Sequence, residues 1–266
     1  MIVNALTIAG TDPSGGAGIQ ADLKTFSALR AYGMSVVTSL VAQNTHGVRS
    51  ICQVSPDFIT DQLDAVFDDV RVDAVKIGML ANAPIIEAVA ASLRTRRPPF
   101  VVLDPVMVAK SGDRLLDPQA VSALRDALLP IVDLITPNIP EAADLLGVSP
   151  ARDEAEMADQ LAALAGLTRG ALLKGGHLDG PESVDLLRAH DSDDIHRLTA
   201  PRIATKNTHG TGCTLSAAIA ALRPQRPDWL SAVRAAKAYL TEALATADEL
   251  SVGTGHGPVH HFHQLW

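Results

Sequence analysis

The sequence predicts the α/β class: a mostly parallel, doubly wound central sheet with helices on both faces. Two observations carry this. Short apolar runs alternate with amphipathic runs of helical period along the chain, the pattern of repeated βαβ units. The apolar runs are also nearly continuous, as in strands covered on both faces. With 266 residues, 47% of them apolar types, the chain is long enough to bury one large core. No long linker, low-complexity tract or internal repeat interrupts it, so residues 1–266 are read as a single domain.

The strand-like runs are Ala5–Ala9, Ser35–Ala42, Ala74–Ile77, Val101–Leu103, Leu134–Thr136 and Ala171–Lys174. Helical periodicity falls at Ile19–Ala31, Pro56–Asp69, Pro84–Arg96, Pro118–Leu128, Ile139–Leu146, Glu154–Ala165, Thr214–Leu222 and Trp229–Leu250. The polar stretch Ser183–Thr199 reads as an antiparallel hairpin turning in the acidic cluster Asp191–Asp194. The opening "MIVNALTIAG" has no basic segment before its apolar run. That run is too short for a signal peptide or a spanning helix, and reads as a buried strand.

Composition narrows the function. A formal net charge of −8 argues against broad nucleic-acid or anionic-membrane binding, which need basic patches. Two Trp, two Tyr and five Phe supply no stacking platform for single strands. Cys52 and Cys213 are the only cysteines, too few for a disulfide framework, and a cytoplasmic location is expected.

In an open α/β sheet, ligands bind beyond the carboxyl ends of the strands. The unusual residues fall in loops expected there: Gly10–Gly18, Gln43–Thr45, Gly78–Leu80, Asp104–Gly112, Asn138–Glu141, Gly175–His177 and Asn207–Cys213. "GTDPSGGAGIQADLKTF" leaves a strand and enters a helix. Its glycines permit close backbone approach to a ligand and Asp12 adds an acceptor, although a tight strand-to-helix turn would use the same residues. It lacks both the G-K-[ST] ending of a phosphate loop and the dinucleotide G-x-G-x-x-G spacing.

"HGTGC", His209–Cys213, gives a stronger anion signal. Gly210 and Gly212 can expose successive N–H groups, and the following helix adds the positive end of its dipole. Such a site stabilises charge developing on a phosphoryl group. The same surroundings are expected to lower the Cys213 pKa and favour thiolate. The plainer alternative is a structural glycine turn with an inert cysteine.

Asp104 and Glu141, in "LDPVM" and "TPNIPEA", place hard oxygens at two strand ends, which suits Mg²⁺ near phosphates. Asn138 with Glu141 also has capping-box spacing, and the two roles can coexist. Lys174 ends a strand in "ALLKGGH", as a phosphate contact or a surface lysine. Lys237 lies on an apolar stripe with Val233, Leu240 and Leu244, so it must snorkel or find an anion. "VMVAKSGDRLL", with Lys110, suits a flap over phosphates or an ordinary turn. The tail "HGPVHHFH" does not set its histidines as a ligand pair on one helical face, and is read as non-metal.

Together these motifs resemble the hydroxymethylpyrimidine/phosphomethylpyrimidine kinase family of thiamine biosynthesis, in the ribokinase-like superfamily. The resemblance runs nearly end to end, through "GTDPSGGAGIQADLKTF", "QNTHGV", "VKIGML", "DPVMVAKSG", "TPN..EA", "LLKGGH", "NTHGTGC" and "GHGPVHHF". It implies a ribokinase-like three-layer α/β/α fold. It also implies ATP- and Mg²⁺-dependent phosphorylation of 4-amino-5-hydroxymethyl-2-methylpyrimidine, then of its monophosphate to the diphosphate, by a homodimer.

By the same resemblance, Gln43 bonds the pyrimidine edge, and Gly10, Asp12, Gly18, Met79 and Val106 line the substrate pocket. Gly210, Thr211 and Gly212 form the anion hole beside Cys213, which stands where sugar-kinase relatives have an aspartate base. Lys174, Lys237, Asn138 and Thr208 belong to the nucleotide side, and Asp104 and Glu141 to the Mg²⁺ region. A pyridoxal kinase is the alternative on the same fold. A non-catalytic pyrimidine sensor is a third reading. A cysteine hydrolase is a fourth, weakened because His209 has no obvious acidic partner in sequence.

Overall fold

In the computed structural model, residues 1–107, 120–192 and 194–266 are described. Among the described residues there are ten strands: β1 Val3–Ala9, β2 Ala31–Val37, β3 Ser39–Asn44, β4 Gly47–Gln53, β5 Ala74–Ile77, β6 Val101–Leu103, β7 Leu134–Ile135, β8 Ala171–Lys174, β9 Glu182–Arg188 and β10 His196–Pro201. The helices are α1 Gly18–Ala28, α2 Pro56–Phe67, α3 Ala83–Arg96, α4 Ala120–Ala123, α5 Ile139–Leu146, α6 Glu154–Leu164, α7 Thr211–Leu222 and α8 Trp229–Ala245.

Eight strands form one sheet in the order β10-β9-β8-β7-β6-β5-β1-β2. From β2 to β8 the pairs are parallel; the β9–β10 hairpin adds an antiparallel edge. Side-chain alternation divides the core in two. Leu6, Ile8, Val75, Ile77, Val101 and Leu103 point one way, and pack with Ile59, Leu63, Ile85, Val89, Ala142 and Leu161 of α2, α3, α5 and α6. Ala5, Ala74, Val102, Leu134 and Leu172 point the other way, against Phe26, Leu215, Ile219, Trp229 and Val233 of α1, α7 and α8. This is the three-layer α/β/α arrangement expected from the sequence.

Local chemistry sets the helix ends. Ser55, Asn82, Asp153 and Asp228 each accept a bond from a first-turn N–H, satisfying donors that have no intrahelical partner. Gly147 closes α5 with φ +69°, a left-handed conformation glycine adopts without a Cβ penalty.

Several expected elements differ. The run 35–42 is two strands, not one: β2 stays in the large sheet, and the chain leaves it after Val37 to pair β3 with β4. β4, "GVRSICQ", is largely exposed and lacks the apolar run that marked the other strands. The helix expected at 19–31 stops at Ala28, because Ala31 already pairs with Val3. The helix expected at 229–250 ends at Ala245, followed by a short 3₁₀ turn at Ala247–Glu249. Of the helix expected at 118–128, the first two residues lie outside the described residues; the rest is α4 continued by a wider π turn, Leu124–Leu128. Asp193 in the hairpin turn also lies outside them. Among the described residues, no helix is long and apolar enough to cross a membrane.

Candidate active site

A cavity of about 770 Å³ opens beyond the carboxyl ends of the parallel strands, a size that suits small-molecule ligands. All seven loops singled out in sequence contribute to its wall, through Gly10, Gln43, Met79, Asp104, Asn138, Gly176 and Gly210 among others. Sheet order spreads them out. Gly10, Gln43 and Met79 stand at the β2-β1-β5 end, whereas Asn138, Lys174 and Asp185 stand toward β7, β8 and β9. A bulge between Ala42 and Gln43 re-aims the strand where Gln43 meets the cavity. Val106 also lines it; the rest of the expected flap, with Lys110, lies outside the described residues.

Asp12 has a different place from the one expected. It is fully buried and absent from the cavity wall. Its Oδ1 accepts from the Ser14 amide and hydroxyl. Its Oδ2 accepts from the Gly16 and Ala17 amides and from His209 Nε2 at 2.7 Å. Burial pushes this carboxyl upward, but the bonds from His209, Ser14 and Gln43 outweigh it and hold it well below the usual carboxylate range. Asp12 therefore organises the loop and ties it to "HGTGC". His209 does have an acidic partner, 197 residues away in sequence, which corrects the expectation of none. An ionised Asp12 keeps the proton on Nε2, so that nitrogen is not a base for Cys213.

The glycine turn expected to be an anion hole lies at the start of α7. Gly210 caps the helix at φ +79°, and a Cβ there would run into the Gly16 carbonyl oxygen. The first intrahelical bond is Thr214 N–H to the Gly210 carbonyl, 2.8 Å. The Gly212 and Cys213 N–H groups precede it, as unpaired first-turn donors do. A Cβ at Gly212 would lie 3.2 Å from Asp104 Oδ2 and 3.4 Å from Lys174 Nζ. The turn and this ion pair are thus close neighbours, and the absence of a side chain at Gly212 lets them meet. Thr208 and Thr211 line the same wall.

Cys213 departs from expectation. Burial pushes its thiol up to about 11, against the pull of the Lys76 ammonium; Asp22 and Asp104 raise it further, and a bond from the Gly18 backbone lowers it. The helix N-terminus does not make a resting thiolate here, because desolvation of the half-buried sulfur outweighs it. Gly18, expected to line the pocket, does so, and its N–H also serves Cys213.

Asp104 and Glu141 flank one ammonium. Lys174 Nζ lies 3.1 Å from Asp104 Oδ1 and 4.0 Å from Glu141 Oε2. Burial pushes Glu141 up to about 7, against the attraction of Lys174. Burial also works against Lys174, but Asp104 and Glu141 raise its pKa and keep it charged. Asn138 and Glu141 do form the capping box: Asn138 Oδ1 accepts the Glu141 N–H at 2.9 Å, and Glu141 Oε2 accepts the Asn138 N–H at 2.7 Å. Both still line the cavity.

Among the described residues, no three His, Cys, Asp or Glu side chains group to hold a metal. Asp104 and Glu141 both line the cavity, and two carboxylates nevertheless fit Mg²⁺, which keeps waters and takes few protein ligands. Lys237 has found its anion: Nζ donates to Asp185 Oδ2 at 2.6 Å. Leu240 and Leu244 of its stripe line the cavity beside it.

Sequence reasoning missed a second buried pair, Lys76 and Asp22, both 0% exposed and 2.8 Å apart. Its signal was present, since Lys76 breaks the apolar strand "AVKI" and Asp22 sits in a helix among buried residues. The C-terminal tail was also underread. The Gly257 carbonyl accepts from the His209 N–H, and His256 N–H donates to the Thr45 carbonyl. His261 Nε2 meets Thr214 Oγ1 at 3.1 Å.

Known proteins resemble the chain over nearly its whole length. A family model described as "Phosphomethylpyrimidine kinase" matches residues 12–260. The hydroxymethylpyrimidine/phosphomethylpyrimidine kinase of Escherichia coli (strain K12) is 62% identical over 265 residues, covering 99% of each chain. The pyridoxal kinase of Bacillus subtilis, solved as an ADP complex, superposes with TM-score 0.91 at 36% identity over 99% of each chain. A phosphomethylpyrimidine kinase structure from Clostridium difficile 630 gives TM-score 0.80 at 42% identity, over 91% of this chain and 99% of that one. The chain is a member of the phosphomethylpyrimidine kinase family.

Proposed function

We propose that this chain transfers the ATP γ-phosphoryl group to the hydroxymethyl oxygen of 4-amino-5-hydroxymethyl-2-methylpyrimidine, and then phosphorylates the monophosphate to the diphosphate. The observation that carries this is one cavity in which a helix-start anion hole adjoins Asp104, Lys174 and Glu141, with Gln43 and Met79 at the other end. The second end suits a small heteroaromatic alcohol, with Gln43 as the polar contact. Gly10 belongs to that end because a Cβ there would press on Met79 Cε at 2.9 Å, narrowing the pocket.

Phosphoryl transfer passes through a loose transition state, so positioning and electrostatics supply most of the acceleration. The Gly212 and Cys213 N–H groups take charge developing on the phosphoryl oxygens. Lys174 and Lys237 contribute positive charge on the nucleotide side, with Asn138 and Thr208 in the adjoining wall. Mg²⁺, when bound near Asp104 and Glu141, supplies charge neutralisation and orientation of the phosphates. Cys213 rests as a thiol and orients the hydroxyl; it takes the hydroxyl proton late only in its minor thiolate form, its own proton having first passed to solvent. Cys213→Ala is expected to lower kcat about a hundredfold with little change in KM; an unchanged kcat removes the base role. Time courses of mono- and diphosphate formation from the alcohol and ATP test the whole reading, and absence of both products overturns it. Pyridoxal, assayed in parallel, separates the alternative alcohol.

The same reading carries a homodimer. The two-stranded sheet presents Leu40, 54% exposed, on one face directly opposite the exposed Cys52, an apolar contact suited to a second copy. The net charge of −8 supports a protein without nucleic-acid partners. The two cysteines are free, which suits a reducing cytoplasm.

A further inference from the structure

Arg202 directly follows β10 and is exposed, yet its guanidinium is held by backbone carbonyls of a single loop. Nε donates to the Gly180 carbonyl and Nη1 to the Gly176 carbonyl, each at 3.0 Å. Nη2 donates to the carbonyls of Leu178, at 2.5 Å, and Glu182, at 3.4 Å. The Arg202 N–H adds a bond to the Pro181 carbonyl at 2.9 Å. Every second carbonyl from 176 to 182 thus turns toward one side chain. A guanidinium carries five N–H donors in a fixed planar fork. An ammonium has three donors on one atom, and could not spread to meet four carbonyls.

The loop so held joins β8 to β9 and borders the cavity. Both of its ends are tied to a cation. Lys174, the last residue of β8, lies 3.1 Å from Asp104. At the start of the loop, Gly175 N–H donates to Asp185 Oδ1 at 3.1 Å, and Asp185 Oδ2 accepts from Lys237. Between these anchors, Gly176, His177, Ser183 and Arg202 itself line the cavity. A Cβ on Gly176 would meet nothing within 4 Å, so its backbone borders open space. Leu178 packs against the core, and its N–H donates to the Gly175 carbonyl at 3.0 Å. The residues around it, 176–177 and 179–182, are exposed. Exposed backbone with few bonds of its own opens easily, and the guanidinium supplies the order that the loop sequence lacks.

We propose that Arg202 is a positioning residue for the nucleotide: it acts through loop 175–182, fixing Gly176 and His177 as the wall against which ATP binds beside Lys174 and Lys237. The inference rests on the kinase reading for the identity of the ligand. Its physical basis is preorganisation. A loop already ordered costs nothing further to order when the nucleotide arrives, whereas a loose one takes that cost out of the affinity. The chemical step is spared, because the Gly212 turn and Gln43 are held by α7 and β3 instead.

The test uses the full chain, calorimetric titration with ADP in the presence of Mg²⁺, and steady-state kinetics with the pyrimidine alcohol. Arg202→Ala is expected to weaken ADP binding and raise the KM for ATP about tenfold, with kcat at saturating ATP and the KM for the alcohol each within about twofold. Because Arg202 is exposed, millimolar ethylguanidinium should enter the vacated place and restore ADP affinity to the variant while leaving the unmodified chain unchanged. Arg202→Lys keeps the charge and loses the fork, so it should stay weak for ADP. A purely structural role would lower the melting temperature and leave ADP affinity and the KM for ATP where they were.

Unchanged ADP affinity in either folded variant overturns the proposal. So does a loss that ethylguanidinium does not reverse, or failure of both variants to fold, each of which assigns Arg202 to the fold at large. An unmodified chain that binds ADP but phosphorylates no alcohol would instead defeat the kinase reading, and the ADP titration would still decide the clamp. An unmodified chain that binds no ADP overturns both.

Discussion

Cys213 stands third in α7, after Thr211 and Gly212, where the helix dipole favours a negative charge by under about 1 kcal/mol at an exposed site. Burial there costs more than that, so the thiol rests protonated. His261 shows the same balance for a base. Burial pushes its imidazole down to about 3, with Lys24, His260 and His209 adding repulsion. Its folded pKa lies below the unfolded value of 6.5, so between those values the unfolded chain binds more protons. Its contribution to stability is complete above the unfolded pKa and is lost as pH falls toward 3. Urea unfolding should therefore show a loss of about 2 kcal/mol between roughly pH 7 and 5 from this residue. His261→Gln should flatten that slope; an equal slope in both proteins would reassign it to other groups. Gln43 is the residue whose loss should act on binding. Gln43→Ala should raise the pyrimidine KM roughly tenfold while sparing kcat, because one hydrogen bond to a buried ligand is worth about 1 kcal/mol or more. Steady-state kinetics decide between that and an unchanged KM.

Among the elements, α5 carries two duties on one turn. Its capping box stabilises the helix and holds Glu141 beside Lys174. Asn138→Ala should cost about 1 kcal/mol in thermal or urea unfolding and raise the KM for ATP. A stability loss with unchanged KM would make the box purely structural. α7 depends on a backbone conformation instead: Gly210→Ala should abolish activity, since a Cβ meets the Gly16 carbonyl at positive φ. Soluble variant protein with normal turnover would contradict this. The sequence made these two elements legible for different reasons. "TPNIPEA" is a local capping signal, and "HGTGC" is local glycine chemistry, so each reads correctly in isolation. β4 was not legible, because its exposed side chains carry no apolar alternation. Nor could sequence show that Asp12 serves His209, because that bond joins loops far apart in the chain. The Cys213 pKa failed for a related reason: desolvation comes from packing against α1 and β5, which no local stretch of residues displays.

At the scale of the whole molecule, the loops after β1, β5, β6, β7 and β8 meet because the parallel sheet delivers its carboxyl ends to one edge, and the Gln43 and His209 loops join them from the β3–β4 sheet and from beyond β10. The two core layers share that sheet, so a single cooperative unfolding transition is expected for the monomer, checked by coincident fluorescence and circular-dichroism curves. Light scattering tests the homodimer, and Leu40→Lys should shift it toward monomer by placing a charge on the β3–β4 face. The carboxyl-terminal segment binds two distant parts of the site: Gly255 N–H donates to Thr45 Oγ1, Gly257 accepts from His209, and His261 meets Thr214. A chain ending at Leu250 should keep the sheet and lose turnover.

That strap also sets a schedule. Domains emerge from the ribosome amino end first, at roughly 5–20 residues per second, so β1, α1 and the Gly10–Gly18 loop exist well before their partners. The "HGTGC" turn has its cap from α7 but not its brace until residues 255–261 are made. A nascent chain can therefore assemble most of its sheet while this turn is still unbraced, and the turn gains its bonds to Gly257 and His261 only when that segment docks.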